Sequence, residues 1–344
     1  MKAIRMIEVG KPLELQEVPI PSPADEEVLV RVRAAGICHS DAHYRAGRSP
    51  MGTLPITLGH EVAGEVETVG SKVTSVKTGD RVCLHYNISC ARCYYCQRSY
   101  EQFCTTVKML GHHIDGGYAE YIVVPARNAI PLPEEIAFEE GATLMCASAT
   151  AFHALRRGRV KEGETVAVFG VGGLGLSAIQ LARALGAAEV YAVDIKRDKL
   201  ELASEYGAIS IDAGRLDAVS EIRRLTKGRG VDVALEMIGL PGTMRQTIES
   251  LGMLGRAVIV GLGQDPLEVH PYQTLIGQEV EITGSNDHLL EELPVLIDLA
   301  RRGVLDTSRV VSQTLALDAA KINRRLDDLE QYTNDIRAVI VQPD

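Results

Sequence analysis

The sequence predicts a chain of two fold classes in succession, a β-rich half to about residue 147 followed by an α/β half built on a parallel sheet. Three observations predict it. Near residue 148 the apolar rhythm changes from short β-branched runs to a repeated strand, turn and helix. A glycine-rich turn at residues 170–175 joins an apolar strand to a helix, and four of the seven cysteines fall within residues 90–104 of the β-rich half. Along that half, runs at 26–32, 62–69, 81–84 and 118–124 are β-branched and closed by Gly or Pro, which predicts strands. In the second half strands are expected at 165–169, 189–193, 231–235 and 256–260, with helices between them, for example 174–185 and 196–206. Beyond about residue 288 come a helix at 294–302 and an apolar strand at 338–341, a tail expected to return to the first domain. The expected domains are therefore 1–147 with 289–344, and 148–288.

Composition narrows the function. At 344 residues, with 46% hydrophobic and 24% charged residues, the chain has the balance of a globular protein with a large core. No run approaches the roughly 18 apolar residues that a membrane crossing needs. No signal peptide is visible, so a cytoplasmic protein without disulfides is expected. A net charge of −10 offers no field for a phosphate backbone, and with no Trp and four Phe there is little to stack on bases. Nucleic-acid and membrane partners are disfavoured, and a small molecule is favoured.

Cys90, Cys93, Cys96 and Cys104 are spaced C-x2-C-x2-C-x7-C. Two-residue gaps let a turning backbone aim successive sulfurs at one point, and Zn²⁺ takes four thiolates at about 2.3 Å. This predicts a structural zinc site, which braces a loop and leaves no position open for substrate.

The strand at 165–169 runs into Gly170-Val-Gly172-Gly173-Leu174-Gly175 and then a helix, the context in which G-x-G-x-x-G binds a dinucleotide. The first glycine permits the turn and the second lets the backbone approach a pyrophosphate. The third lets the helix lie close to the sheet with its N-terminal amides toward the phosphates. Asp194 ends the next strand, 24 residues on, where a carboxylate can accept from the adenosine ribose diol and repel a 2′-phosphate. NAD is expected over NADP, although Lys196, Arg197 and Lys199 leave some NADP tolerance open.

Three cysteines remain. Cys38, in Cys-His-Ser-Asp-Ala-His, His60, in Gly-His-Glu, and Cys146 supply the Cys₂His set of a catalytic zinc with one open position. Asp41 and Glu61 stand beside two of these segments, where acids can orient ligands and tune the metal. Cys83 reads as core. His39, His85, His112, His113 and His153 stay unassigned by the residues alone.

Taken together, C-H-S-D-x-H at Cys38, G-H-E at Gly59, the four-cysteine loop, G-G-Y-A-E-Y at Gly116, Cys146, the glycine fingerprint with Asp194, and I-R-A-V at Ile336 resemble the zinc-dependent alcohol dehydrogenases of the medium-chain dehydrogenase/reductase family. The resemblance spans nearly the whole chain. It implies a GroES-like β-barrel catalytic domain and a Rossmann domain with a doubly wound parallel sheet, separated by a cleft. It implies two Zn²⁺ per subunit, with Cys38, His60 and Cys146 on the catalytic ion and Cys90, Cys93, Cys96 and Cys104 on the structural one. Ser40 matches the hydroxyl that bonds the substrate oxygen, and His43 the outer end of a proton relay. His39 and Arg337 match basic pyrophosphate contacts, Lys199 a basic residue near the adenosine ribose, and Tyr86 a large residue of the substrate pocket. Polyol dehydrogenases of the family carry Glu where Cys146 stands, so the cysteine points to simple alcohols. The implied reaction is NAD(H)-dependent interconversion of alcohols with aldehydes or ketones. A polyol, sugar or aldehyde enzyme of the same family is the alternative, and a non-catalytic scaffold the second. The family forms dimers and tetramers, and the short chain leans toward a homotetramer.

Overall fold

A computed structural model describes residues 1–331 and 336–343. Contacts divide the chain into two compact units: Met1–Cys146 with Leu289–Gly303 and the described residues from Thr307 on, and Ala147–His288 with Val304–Asp306.

The first unit is mainly β. Its strands are β1 (Lys2–Met6), β2 (Glu14–Glu17), β3 (Glu27–Ile37), β4 (Ile56–Thr57), β5 (Glu61–Val69), β6 (Arg81–Leu84), β7 (Asn87–Ile88), β8 (Lys108–Met109), β9 (Tyr121–Pro125) and β10 (Ala129–Pro131). Two short helices complete it, α1 (His39–Arg45) between β3 and β4 and α2 (Phe138–Thr143) after β10. The largest sheet runs β10-β6-β5-β3 and continues into two strands of the chain's end, with β9 also pairing β3. The buried faces of Val28, Val30, Val32, Val62, Val66, Val82 and Leu84 alternate as period-two strands require, and form one core.

The second unit alternates strand and helix: α3 (Ala149–Arg157), β11 (Thr165–Phe169), α4 (Gly173–Ala184), β12 (Glu189–Asp194), α5 (Arg197–Glu205), β13 (Ile209–Asp212), α6 (Ala218–Leu225), β14 (Val231–Glu236), α7 (Pro241–Glu249), β15 (Leu251–Ile259) and β16 (Glu281–Gly284). All its strand pairs are parallel, in the order β13-β12-β11-β14-β15-β16. Both faces of such a sheet are covered by helices, which is why β11 is buried at all five positions and reads as a continuous apolar run. Strand β15 starts five residues before the expected 256. Leu254 adopts a positive φ of 61°, and the pairing register shifts between Val231 and Val233, so this end carries no clean pattern.

The remainder comprises α8 (Leu293–Arg301), β17 (Gln313–Leu315), α9 (Ala319–Glu330) and β18 (Ala338–Val341). Strand β18 pairs antiparallel with β3, Ala338 opposite Ile37, and parallel with β17. Among the described residues no helix is long and apolar enough to cross a membrane.

Candidate active site

The sheet of the first unit brings the cluster together. Strand β3 lies antiparallel to β5 on one side and β18 on the other, with Gly36 opposite Glu61 and Ile37 opposite Ala338. The C-terminal end of β3 therefore meets the starts of both neighbours, placing Cys38, His60, Glu61 and Arg337 side by side. At Gly36 a Cβ would stand 2.0 Å from Glu61 Oε2, so only glycine leaves room for that carboxylate.

Cys146 arrives from another element, a π-helical turn at Leu144–Ser148 that follows α2. Turns of this kind re-aim one side chain and recur at functional sites. Ligand atoms of Cys38, His60, Glu61 and Cys146 all lie within 4.8 Å of one another, and all four residues are buried. The Sγ atoms of Cys38 and Cys146 are 4.0 Å apart. Two thiolates on one tetrahedral zinc stand about 3.8 Å apart at the usual bond length, so the donor set fits the ion.

Asp41 organises this cluster from beneath. Fully buried, it accepts from Cys38 N at 2.9 Å, Gly59 N at 3.3 Å and the Tyr118 hydroxyl at 2.9 Å, and Oδ1 lies 3.4 Å from His60 Nδ1. With Nδ1 turned to Asp41, Nε2 is the imidazole nitrogen left for a metal. Glu61, expected to orient ligands, stands nearer than that and contributes an oxygen to the donor group itself. Burial pushes its carboxyl up to about 7, against the pull of Arg337. Arg337, expected at a pyrophosphate, is buried here. Its Nη1 is 2.9 Å from Glu61 Oε1 and donates to the Ile37 carbonyl at 3.3 Å. The shared contact with Cys146, then Arg337 and His60, holds the Cys38 thiol well below its usual value, which suits a thiolate ligand.

Helix α1 begins directly after Cys38 and carries the remaining expected groups. Ser40 Oγ lies 3.8 Å from Cys38 Sγ. His39 and His43, one turn apart, meet with ring centroids 4.8 Å from each other. Burial lowers His39 to about 4, and burial followed by Arg48 lowers His43, so both rings are neutral at neutral pH. Arg45 anchors the helix through Asp327 and the Asn323 carbonyl of α9. Tyr86 is buried with its ring edge-on to His60, centroids 5.1 Å apart, and Cys83 lies fully in the core.

The four-cysteine loop forms the second cluster, its Sγ atoms all within 4.8 Å of one another. Cys93 is 3.5 Å from Cys96, which is 3.9 Å from Cys90, close to the spacing of thiolates around one zinc. Amides of Cys96 and Thr105 aimed at the Cys93 sulfur lower its thiol to about 6.

In the second unit the residue 170–175 turn joins β11 to α4. A Cβ on Gly175 would sit 2.0 Å from the Gly170 carbonyl, so glycine is required for the helix to start this close to the strand. Gly172 occupies the N-cap and has no side chain to cap with, so the first amides of this 12-residue helix suit a phosphate. Asp194 fastens the turn. Its carboxylate accepts from Val171 N at 2.7 Å, Ile195 N at 2.7 Å and Lys196 N at 2.9 Å. Lys199 follows on α5. The residue types alone did not reveal Tyr118 or the partner of Arg337. Tyr118 sits in the G-G-Y-A-E-Y motif, and a buried tyrosine needing a hydrogen-bond partner was the available signal.

Comparison with known proteins agrees with this geometry. Residues 24–134 match the alcohol dehydrogenase GroES-like domain, and residues 173–302 the zinc-binding dehydrogenase domain. An NAD-dependent alcohol dehydrogenase of Sulfurisphaera tokodaii is 37% identical over 352 residues, covering 99% of this chain and 100% of that protein. A sorbitol dehydrogenase of Bacillus subtilis is 32% identical, covering 96% and 94%. The crystal structure of an alcohol dehydrogenase from Aeropyrum pernix superposes with a TM-score of 0.91 at 36% identity, covering 99% and 100%. With its glycine-loop sheet and its two thiolate clusters, the chain belongs to the zinc-dependent alcohol dehydrogenases of the medium-chain dehydrogenase/reductase family, GroES-like in one unit and Rossmann-like in the other.

Proposed function

We propose that this enzyme interconverts primary or secondary alcohols with aldehydes or ketones, using NAD(H), with Cys38, His60 and Cys146 as the residues that hold the catalytic zinc. The observation that carries the reading is the convergence of these three side chains, far apart in sequence, on one buried point. Zinc held there would supply a Lewis acid that lowers the pKa of an alcohol hydroxyl by several units. NAD⁺ would supply the hydride acceptor.

The chain's own residues do the rest. Ser40 Oγ, at the edge of the cluster, receives the hydroxyl proton, and His43, kept neutral by burial, passes it outward. Residues 170–175 bind the pyrophosphate, with Lys199 as a basic contact and His39 as a neutral hydrogen-bonding contact along the cofactor, and Asp194 selects the ribose diol; Arg337 instead holds Glu61. Tyr86 bounds the pocket beside His60. Cys90, Cys93, Cys96 and Cys104 hold a second zinc that braces their loop. Residues 1–147 and 289–344 act as the catalytic domain, and 148–288 as the nucleotide-binding domain. A cytoplasmic homotetramer is the proposed assembly; self-association is supported by the edge position of β16 among the described strands and by exposed Leu262, Tyr272 and Ile276 in the segment before it.

Replacement of Cys38 by serine tests the reading. The variant should fold, carry one zinc fewer per chain and lose NAD⁺-dependent turnover; full activity would overturn the assignment. The position of Glu61 within the donor group, together with the sorbitol dehydrogenase relative, favours a polyol as the second substrate class. A ladder of simple alcohols and polyols assayed with NAD⁺ separates the two.

A further inference from the structure

Glu236, the last residue of β14, is wholly buried in the second unit, yet it is a carboxylate. Oε1 accepts from Ile238 N at 3.1 Å, from Gly239 N at 2.9 Å and from the Thr243 hydroxyl at 2.6 Å; Oε2 also accepts from Gly239 N, at 3.0 Å. Its backbone carbonyl accepts from Val260 N and Gly261 N at the end of β15. On the other side Met237 N donates to Phe169, the last residue of β11, and a Cβ on Gly170 would come within 2.6 Å of Ile238. One side chain thus ties the turn after β14 to the start of α7, and that turn abuts the glycine loop.

The sheet order says what this turn faces. Ligands of such sheets lie beyond the carboxyl ends of the strands, at the point where the order reverses, here between β11 and β14. A pyrophosphate at the end of β11 and an adenosine ribose at Asp194, the end of β12, fix the direction of a bound dinucleotide. Its other half must run the opposite way, over the ends of β14 and β15. We infer that Glu236 is a positioning residue for the nicotinamide half of the cofactor, because its carboxylate holds the Ile238–Gly239 turn through both oxygens. The inference rests on the reading that the glycine loop binds NAD. A carboxylate suits the task because it is acceptor-only, so two amides and a hydroxyl can all point at it. Glutamine keeps the shape but presents N–H to Gly239 N–H, which frees the turn to move.

The test compares two ligands on the zinc-loaded enzyme by calorimetry: NADH, and ADP-ribose, which lacks the nicotinamide. Glu236→Gln should weaken NADH at least 10-fold and ADP-ribose less than 2-fold, and raise KM for NAD⁺ more than it lowers kcat. Equal loss of both ligands, as general loosening would give, or no loss of either, overturns the role of Glu236. Failure of the unsubstituted enzyme to bind ADP-ribose overturns the dinucleotide reading instead. If Glu236→Gln is not recovered folded, Thr243→Val decides by the same comparison, with about a 3-fold loss expected for NADH alone.

Discussion

The hydroxyl of Tyr118 donates to Asp41 Oδ2 at 2.9 Å, and both side chains are fully buried beneath the Cys38–His60–Cys146 cluster. Asp41 reaches the cluster three ways, through Cys38 N, Gly59 N and the His60 ring, so the phenol sets where the whole carboxylate sits. Tyr118→Phe removes that donor without changing the shape. It should cost about 1–2 kcal/mol of stability and weaken the catalytic zinc about 10-fold. Competition with a chromogenic chelator measures this, and unchanged affinity would show that Asp41 is held by its backbone partners alone.

Asp194 has two duties that one substitution can separate. Three backbone amides, those of Val171, Ile195 and Lys196, end on its carboxylate, so it shapes the glycine loop as well as offering oxygens to a ribose. Asp194→Gly should lower the NAD-to-NADP ratio of kcat/KM at least about 10-fold, because a repelling charge is removed. Asp194→Asn keeps acceptor capacity for the loop and should show a smaller stability loss with a similar shift in preference. Steady-state kinetics with both cofactors decides it, and an unchanged ratio would refute the specificity role.

On the proposed reading the four-cysteine loop serves stability and not the chemical step, and one substitution tests this. Cys93 is the thiol that neighbouring amides lower to about 6, so it is already inclined to be a thiolate ligand at neutral pH. Cys93→Ser should remove one zinc per chain and lower Tm by about 5–10 °C. NADH affinity should stay within about twofold, since the glycine loop belongs to the other unit. Metal analysis with a thermal scan tests this; an unchanged zinc content, or a drop in NADH affinity beyond about twofold, would contradict it.

The parts of the fold that could be read from residues were those where one local pattern suffices. Strand β11 falls where an apolar run ends at Gly170, β6 where a short apolar run follows Gly79-Asp80, and the chemistry of the cysteine and glycine motifs lies in their spacing. Strand β3 runs on to Ile37 through Ala34, Ala35 and Gly36, poor strand formers that persist because β5 and β18 hold both their edges. The π turn under Cys146, the pairing of Arg337 with Glu61 and that of Tyr118 with Asp41 depend on which strands become neighbours. No local pattern encodes that.

His85 gives the fold a proton-linked weakness on the acid side. It is buried beside Tyr86, ring centroids 6.0 Å apart, and burial, with Arg127 adding to it, lowers the imidazole to about 3. In the unfolded chain it titrates near 6.5, so between those two values the unfolded state binds the extra proton. Its contribution is therefore fully present above pH 6.5 and is lost progressively as pH falls toward 3, amounting to about 2 kcal/mol at pH 5. His85→Gln should be the less stable protein at pH 7.5, yet the gap between the two should close by about that amount at pH 5. Denaturant midpoints of the zinc-saturated proteins at both pH values provide the measurement, and parallel pH dependence would show that His85 is protonated within the fold.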